Sequence, residues 1–433
     1  MRFKPLGALL LLSLAVGTAW AADSAGGSEF GPVLFGHAIL VVGAKMGGLV
    51  AARWGQPSVL GELLVGIVIA NLFPLIAGGT GIEFVRSNST LRFLAEVGVL
   101  LLLFDVGLET DLRALARVGV SAVLVALIGV VVPFFLGWGA GVWFLPDASK
   151  WVHIFLGATL TATSVGITVR VLKDLRVTET REGQTIIGAA ILDDILGLIV
   201  LAIVVGSTTA AGPEGNTLSL LGIAAILLKA VVFLGLAIGL GHWLSDRIVR
   251  LAARTGQEDF LLVIGVALCF TFAYISELIG LADIIGAFAA GILLDPYGQG
   301  VRTKAEEATL RELISPLSHV FVPFFFVLMG LQVNLATLGD PSALSLAGVL
   351  IGCAIIGKLA CGLGVVGGGI RRAAIGIGMI PRGEVGLIFA GIGTTVTMDG
   401  QPILSQNVYS AVVMMVFVTT LITPIALRWV FRR

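Results

Sequence analysis

The chain has 433 residues, of which 57% are hydrophobic and 12% charged, and its 27 basic and 27 acidic side chains cancel to a formal net charge of zero. Soluble domains average about 25% charged residues, so this composition excludes an ordinary soluble protein, and the cancelled charge points to no nucleic-acid partner. What remains is an all-α polytopic membrane protein, in which only the distribution of charge along the chain is informative.

The first residues, "MRFKPLGALLLLSLAVGTAWAADSAGG", combine basic Arg2 and Lys4, an apolar run from Leu6, and the small-residue site Ala19-Trp20-Ala21. That order predicts a signal peptide over residues 1–22, leaving 23–433 as the membrane domain with its mature N-terminus outside. At about 20 apolar residues per crossing, thirteen segments follow, near 33–53, 58–76, 91–108, 114–144, 151–174, 184–206, 218–246, 259–279, 281–295, 314–334, 343–367, 371–397 and 403–430. Cytoplasmic connections carry the excess of Lys and Arg. With the first segment running inward, eighteen basic residues fall on the inner face, among them Arg113, Arg117, Arg250, Arg254, Arg371 and Arg372. The outer face receives Arg86, Arg92 and Lys150. The alternation holds at every loop, which predicts thirteen transmembrane helices with a cytoplasmic C-terminus.

The longest connection, "DPYGQGVRTKAEEATLRELI" from Asp295, reads as a polar inner loop or surface helix. No GxGxxG or P-loop context accompanies the 58 glycines, so no nucleotide-binding domain and no cofactor are expected. Cys269, Cys353 and Cys361 lie in apolar runs, as small buried side chains.

Acids and bases at membrane depth are costly, roughly 2.5–3.5 kcal/mol or more each at a helix centre, and are functional candidates by default. The sixth segment, "GAAILDDILGLIVLAIV", places adjacent Asp193 and Asp194 near mid-depth. Neighbours on a helix point about 100° apart, so one carboxylate can face a cavity while the other meets a protein partner. Lys358, in "AIIGKLACG", is the one lysine also placed centrally and is the natural partner of this pair. Glu62, Glu96, Asp105 and Asp283 are equally open to local hydrogen bonding or packing, while Lys45, Lys229 and Glu277 sit near helix ends, where long side chains snorkel. His37, His153, His242 and His319 show no metal-ligand spacing.

Two segments carry interruptions. "TLTATSVGIT" brings Thr161, Thr163, Ser164 and Gly166 about twelve residues into the fifth, and "GMIPRGEVG" brings Pro381 and Gly383 into the twelfth. Proline removes a backbone donor, and Thr and Ser hydroxyls compete with the helix ladder. Irregular backbone at such depth must line a cavity or be buried in protein. Paired interruptions in corresponding positions of two halves are the mark of a transporter with inverted repeats; here segments 4–6 correspond to 11–13. The fifth segment lacks proline, which leaves helical continuity open there.

In combination, "QPSVLGELLVGI", "LLLLFDVGLETDL", "TATSVGITVRVLKDL", "LDDILGL", "FFFVLMGLQVNL", "GKLACG" and "MIPRGEVGLIFA" resemble bacterial sodium/proton antiporters of the monovalent cation:proton antiporter-2 family, especially its electrogenic NapA-like branch. The resemblance spans essentially the whole chain after the leader. It implies the NhaA-like antiporter fold, a homodimer in the bacterial inner membrane among membrane lipid, and a core of helices about 91–206 and 314–430. Dimerisation helices would lie at about 33–76 and 218–295. By motif position, Asp194 would bind the transported Na+ and the proton, and Asp193 would pair with Lys358. Thr161, Thr163 and Ser164 would lie near the site, and Arg382 and Glu384 would be charges beside the Pro381 break. Relatives with ND in place of DD are generally electroneutral, so the first acid bears on stoichiometry.

The leading expectation is therefore secondary exchange of Na+ or Li+ for H+, with no enzymatic activity. K+/H+ exchange or sodium-coupled solute uptake on the same fold is the alternative within transport. A membrane prenyltransferase using "DDILG" to bind Mg2+ and diphosphate is the remote one, since such enzymes need acidic clusters, usually two, near a membrane surface.

Overall fold

The computed structural model describes residues 30–77, 88–110, 119–178, 180–211, 220–255, 260–294, 309–336, 341–398 and 401–431. The expected signal peptide, residues 1–22, and residues 295–308 of the polar connection lie outside them. The architecture is mostly helical, as hydrocarbon demands of a chain that must satisfy every backbone N–H and C=O within itself.

In chain order the helices are α1 (Phe30–Arg53), α2 (Ser58–Ala77), α3 (Ser89–Glu109), α4 (Val120–Phe144), α5 (Lys150–Thr159), α6 (Val165–Asp174), α7 (Arg181–Ala211), α8 (Leu220–Thr255), α9 (Phe260–Leu278), α10 (Asp283–Leu294), α11 (Leu310–Leu331), α12 (Pro341–Leu359), α13 (Arg372–Gly378), α14 (Glu384–Thr395) and α15 (Gln406–Phe431). A 3-10 turn, Ala360–Gly364, prolongs α12, and two short antiparallel strands, Thr397–Met398 and Gln401–Pro402, precede α15. Among the described residues, seven helical spans are long and apolar enough to cross a membrane. They are Val120–Phe144, Arg181–Gly206, Ala224–Gly241, Phe260–Leu278, Leu310–Leu331, Pro341–Gly364 and Gln406–Phe431. The fifth expected segment is interrupted between α5 and α6, closing the alternative of a continuous helix there, and the twelfth is interrupted between α13 and α14.

The chain divides into two compact units, Met1–Leu102 with Pro316–Asp340, and Leu103–Ser315 with Pro341–Arg433. In the first, α1 and α2 touch backbone to backbone: a methyl added at Gly61 would collide with the Gly47 carbonyl. Asn71 staples α2 to the end of α11, its Nδ2 donating to Val333 O at 2.9 Å and its Oδ1 accepting from Leu335 N at 2.8 Å. The carboxyl-bearing Glu62 is buried in this unit.

The second unit takes the end of α3 from Leu103, the start of α11 up to Ser315, and the remaining helices. Its core knits α4, α6, α7, α13 and the 3-10 turn around small and branched side chains, with Ala122, Val125, Ala126, Leu172, Ile186, Ala189, Ala190, Ile375 and Met379 buried together. The alanines matter because they let four helices approach closely around the charged residues set into α7 and α12. Asp105 of α3, unassigned by its sequence context, accepts from Arg311 Nε of α11 at 3.0 Å, and the same guanidinium reaches Glu109 one turn on. Arg311 therefore belongs to a helix and not to the polar connection. Asp283 binds its own neighbour, Ile284 N, at 2.8 Å, while Lys45 and Glu277 are exposed and Lys229, also exposed, donates to Ile279 O at 3.0 Å.

Candidate ion-binding site

Asp193 lies twelve residues past Arg181 in a span of 26 residues, Arg181–Gly206, and so sits at its middle. Lys358 closes α12 where the helix tightens into the 3-10 turn. Its Nζ donates to both carboxylate oxygens of Asp193, at 2.9 and 3.1 Å, and both side chains are 0% exposed. The expected pair is present, and it is fully desolvated. Asp194, the next residue, is only half-buried. The two carboxylates thus occupy different surroundings, as a 100° turn between neighbours allows.

Helix α4 brings Gly129 against the pair. A methyl there would stand 3.0 Å from Cys361 Sγ and 3.3 Å from both Asp193 Oδ1 and Lys358 Nζ. The thiol of Cys361, itself buried, thereby becomes a neighbour of the ion pair. Gly129 carried no sequence signal, and Cys361, read from sequence as a small buried side chain, gave no sign of this contact.

The two interruptions face each other, and each supplies what the other lacks. At the first, Thr159 and Thr161 turn their hydroxyls back onto Leu156 O and Ala158 O, at 2.9 and 2.8 Å, competing with the ladder that would continue α5. At the second, Pro381 has no N–H to give and the chain reopens as α14 only at Glu384. Ser164 N then donates to Pro381 O at 2.9 Å, Thr163 Oγ1 to Met379 O at 3.2 Å, and Thr168 Oγ1 to Gly378 O at 2.8 Å. In the reverse direction Arg382 Nη1 donates to Ala162 O. The Arg382 carbonyl in turn accepts from Thr420 Oγ1 of α15. Irregular backbone within a membrane span must find such partners or line a cavity; here the crossing is the partner. At Gly383 the two segments pack tightly, since a methyl on it would lie 2.6 Å from Ser164 Oγ.

Arg382 is wholly buried, and among the described residues its Nε and Nη2 find no hydrogen-bond partner. Of the residues singled out from sequence, the structure joins Asp193 to Lys358, and Thr163 and Ser164 to Pro381 and its flanks. Thr161 is buried at the first break, Glu384 opens α14, and its side chain lies outside those described. Helix α7 is tied to this crossing one turn beyond the acids, where a methyl at Gly197 would lie 3.9 Å from Ala162 Cβ. Thr168 and Thr420 were missed by sequence reasoning; the hydroxyl-rich run "VTTLIT" in α15 was the available signal for the second.

A family model described as sodium/hydrogen exchanger, transmembrane, matches residues 38–433. The chain is 37% identical to the high-affinity Na+/H+ antiporter NhaS3 of Synechocystis sp., over 92% of this chain and 90% of that one. It is 37% identical to the Na+/H+-K+ antiporter GerN of Bacillus cereus, over 92% and 96%, and 32% identical to a Na+/H+ antiporter of Enterococcus hirae, over 90% and 96%. Among solved structures, the sodium proton antiporter MjNhaP1 of Methanocaldococcus jannaschii superposes with a TM-score of 0.69 at 16% identity, over 93% of this chain and 98% of that one.

Proposed function

Because the chain is a multi-pass membrane protein belonging to the sodium/hydrogen exchanger family, we propose that it exchanges cytoplasmic Na+ or Li+ for external H+, with Asp194 as the shared site. The observation that carries this reading is the unequal burial of two adjacent mid-span carboxylates. Asp193 is sealed onto Lys358, whereas Asp194, half-buried, keeps access for a small cation. Competition at one carboxylate is enough to couple two gradients: a proton and a cation cannot both occupy it, so the site crosses loaded with one or the other. Thr161 and Thr163 spend their hydroxyl protons on backbone carbonyls, which leaves oxygen lone pairs that would serve as ligands for a cation at the crossing.

The cycle we propose is electrogenic. When Na+ takes Asp194, Lys358 releases its proton as well, two protons exchange for one Na+, and net charge crosses the membrane. The protein would be a homodimer of thirteen-crossing subunits in the cytoplasmic membrane, N-terminus outside and C-terminus inside, with the two broken helices in inverted repeats. The name of the Bacillus cereus relative, which includes K+, favours K+ as a second cation of the same site.

Purified protein in sealed liposomes, with internal pH followed as Na+, Li+ or K+ is added under clamped voltage, tests the reading. The apparent Na+ affinity should weaken by up to about a hundredfold for each unit that pH falls, because each Na+ displaces two protons, one from Asp194 and one from Lys358. Asp194→Asn should abolish cation-driven proton movement in a protein that still inserts and folds. Wild-type rates in a folded Asp194→Asn protein would remove Asp194 from the mechanism.

A further inference from the structure

We propose that Thr420 of α15 is a positioning residue for cation binding: its hydroxyl sets the Arg382 peptide, and through Arg382 the first break. The inference rests on the reading of Asp194, Thr161 and Thr163 as cation ligands given above. A buried threonine on a helix commonly turns its hydroxyl back onto the carbonyl three or four residues earlier. Its neighbours in α15 do so. Thr419 Oγ1 donates to Met415 O at 2.8 Å and to Val416 O at 3.0 Å, and Thr423 Oγ1 donates to Thr419 O at 2.7 Å. Thr420, equally buried, instead spends its proton 38 residues away, on the Arg382 carbonyl. The ladder of α14 does not serve that carbonyl. The N-cap of α14 is Gly383, and the bond from Leu387 N, at 3.3 Å, falls on Gly383 O, one residue too late. An acceptor left unpaired in an apolar interior is costly, so the hydroxyl that meets it decides where this peptide sits.

Arg382 passes this placement on. Its Nη1 donates to Ala162 O, and Ala162 stands between Thr161 and Thr163. Thr420 therefore acts on the first break through a single residue, from hydroxyl to Arg382 carbonyl and from guanidinium to Ala162 carbonyl. The same face of α15 meets the second break again four residues earlier. A methyl on Gly386 would lie 3.6 Å from Val416 Cγ2 and 3.7 Å from Thr159 O of the first break. Val416 and Thr420 thus track Gly386 and Arg382 at equal spacing, and both contacts lead to the first break. Outer partners that orient the ligands of an ion typically contribute about 10–100-fold in its affinity. A hydroxyl that only braced α15 would stabilise the protein and leave cation affinity alone.

Thr420→Val keeps the shape and removes the donor, and Thr420→Ser keeps the donor. Thr419→Val is the control, since it removes an equally buried hydroxyl whose bonds stay within α15. Na+ binding by calorimetry, and KM and maximal rate in sealed liposomes, are compared at one pH on purified, folded proteins. Thr420→Val should weaken Na+ binding and raise KM about 10–100-fold, with a much smaller change in maximal rate. Thr420→Ser and Thr419→Val should bind Na+ as wild type does. Wild-type Na+ affinity in a folded Thr420→Val protein overturns the proposal, as does an equal loss of affinity in Thr419→Val, which would make the effect one of α15 as a whole. Should Thr420→Val not fold, Thr420→Cys decides, because a thiol is a weak donor of similar size. It should bind Na+ less tightly than Thr420→Ser, and equal affinity overturns the proposal. Asp194→Asn, measured alongside, separates this inference from the reading it rests on. Wild-type Na+ binding in Asp194→Asn with weakened binding in Thr420→Val removes Asp194 and leaves Thr420 its role. Lost binding in Asp194→Asn with wild-type binding in Thr420→Val removes Thr420 alone.

Discussion

The buried pair allows its stabilising role to be separated from its transport role by a double-substitution cycle. Lys358→Gln leaves Asp193 in a site with no water exposure, and Asp193→Asn leaves Lys358 there with no carboxylate. Breaking a buried pair by removing one partner costs about 3–5 kcal/mol. A ceiling exists, because the stranded group can change protonation: at pH 7 that costs a lysine about 4.6 kcal/mol and an aspartate about 4.2 kcal/mol from their ordinary values. The two substitutions are not equivalent. Lys358→Gln strands the carboxylate, whose ceiling is the lower of the two, and Asp193→Asn strands the ammonium, whose ceiling is the higher. Asp193→Asn should therefore lie near the upper end of that range and Lys358→Gln near the lower. The double variant places two neutral amides in contact, able to share a hydrogen bond worth about 0.5–1.5 kcal/mol, and should recover most of the loss. Unfolding of detergent-solubilised protein, measured for all four species at one pH, gives the coupling energy directly. Additive losses, or a Lys358→Gln protein less stable than Asp193→Asn, would refute this account of the pair.

Other outcomes follow from close contacts. Gly383→Ala should push the two breaks apart at Ser164, at the 1–3 kcal/mol typical of overpacking, and slow transport; adding Ser164→Gly removes both atoms it strikes and should restore stability, so an unrescued double variant would contradict the crossing geometry. Gly129→Ala drives a methyl to 3.0 Å from Cys361 Sγ, and its effect on thermal stability should shrink in a Cys361→Ala background; an equal loss in both backgrounds would point to strain elsewhere in α4. Cysteines at exposed Lys150 and Arg372 should be labelled by an impermeant maleimide from opposite sides of the membrane, outside and inside respectively. Labelling from one side would overturn the proposed orientation.

The pairing of Asp193 with Lys358 was legible because charge at mid-depth is so costly that one central lysine has few other reasons to be there. The breaks were legible too, Pro381 and Gly383 more firmly than the Thr and Ser cluster, because hydroxyl competition weakens a helix without forbidding it. What escaped was whatever depends on register between distant segments. Thr168 meets Gly378 O across 210 residues, and Arg382 meets Ala162 O across 220. Neither separation leaves a periodic trace. Asp105 went unassigned because its partner, Arg311, reads by charge count as part of a polar connection, whereas it opens α11. The contact of Gly129 and Cys361 with the pair was invisible for the opposite reason: they act through smallness and position, not through any group that advertises chemistry.

The complementarity of the two breaks also bears on how the protein is made. Thr163 must wait for Met379, 216 residues later, and Asp193 must wait for Lys358, 165 residues later. At synthesis rates of about 5–20 residues per second, the first broken helix exists for roughly 10–40 s before its complement leaves the ribosome. Through that interval its open carbonyls and amides, and an uncompensated acid, need water or the insertion machinery for company. Biogenesis of this fold is therefore gated late, and a chain truncated before residue 372 would retain its early helices yet expose a polar seam that marks it for degradation.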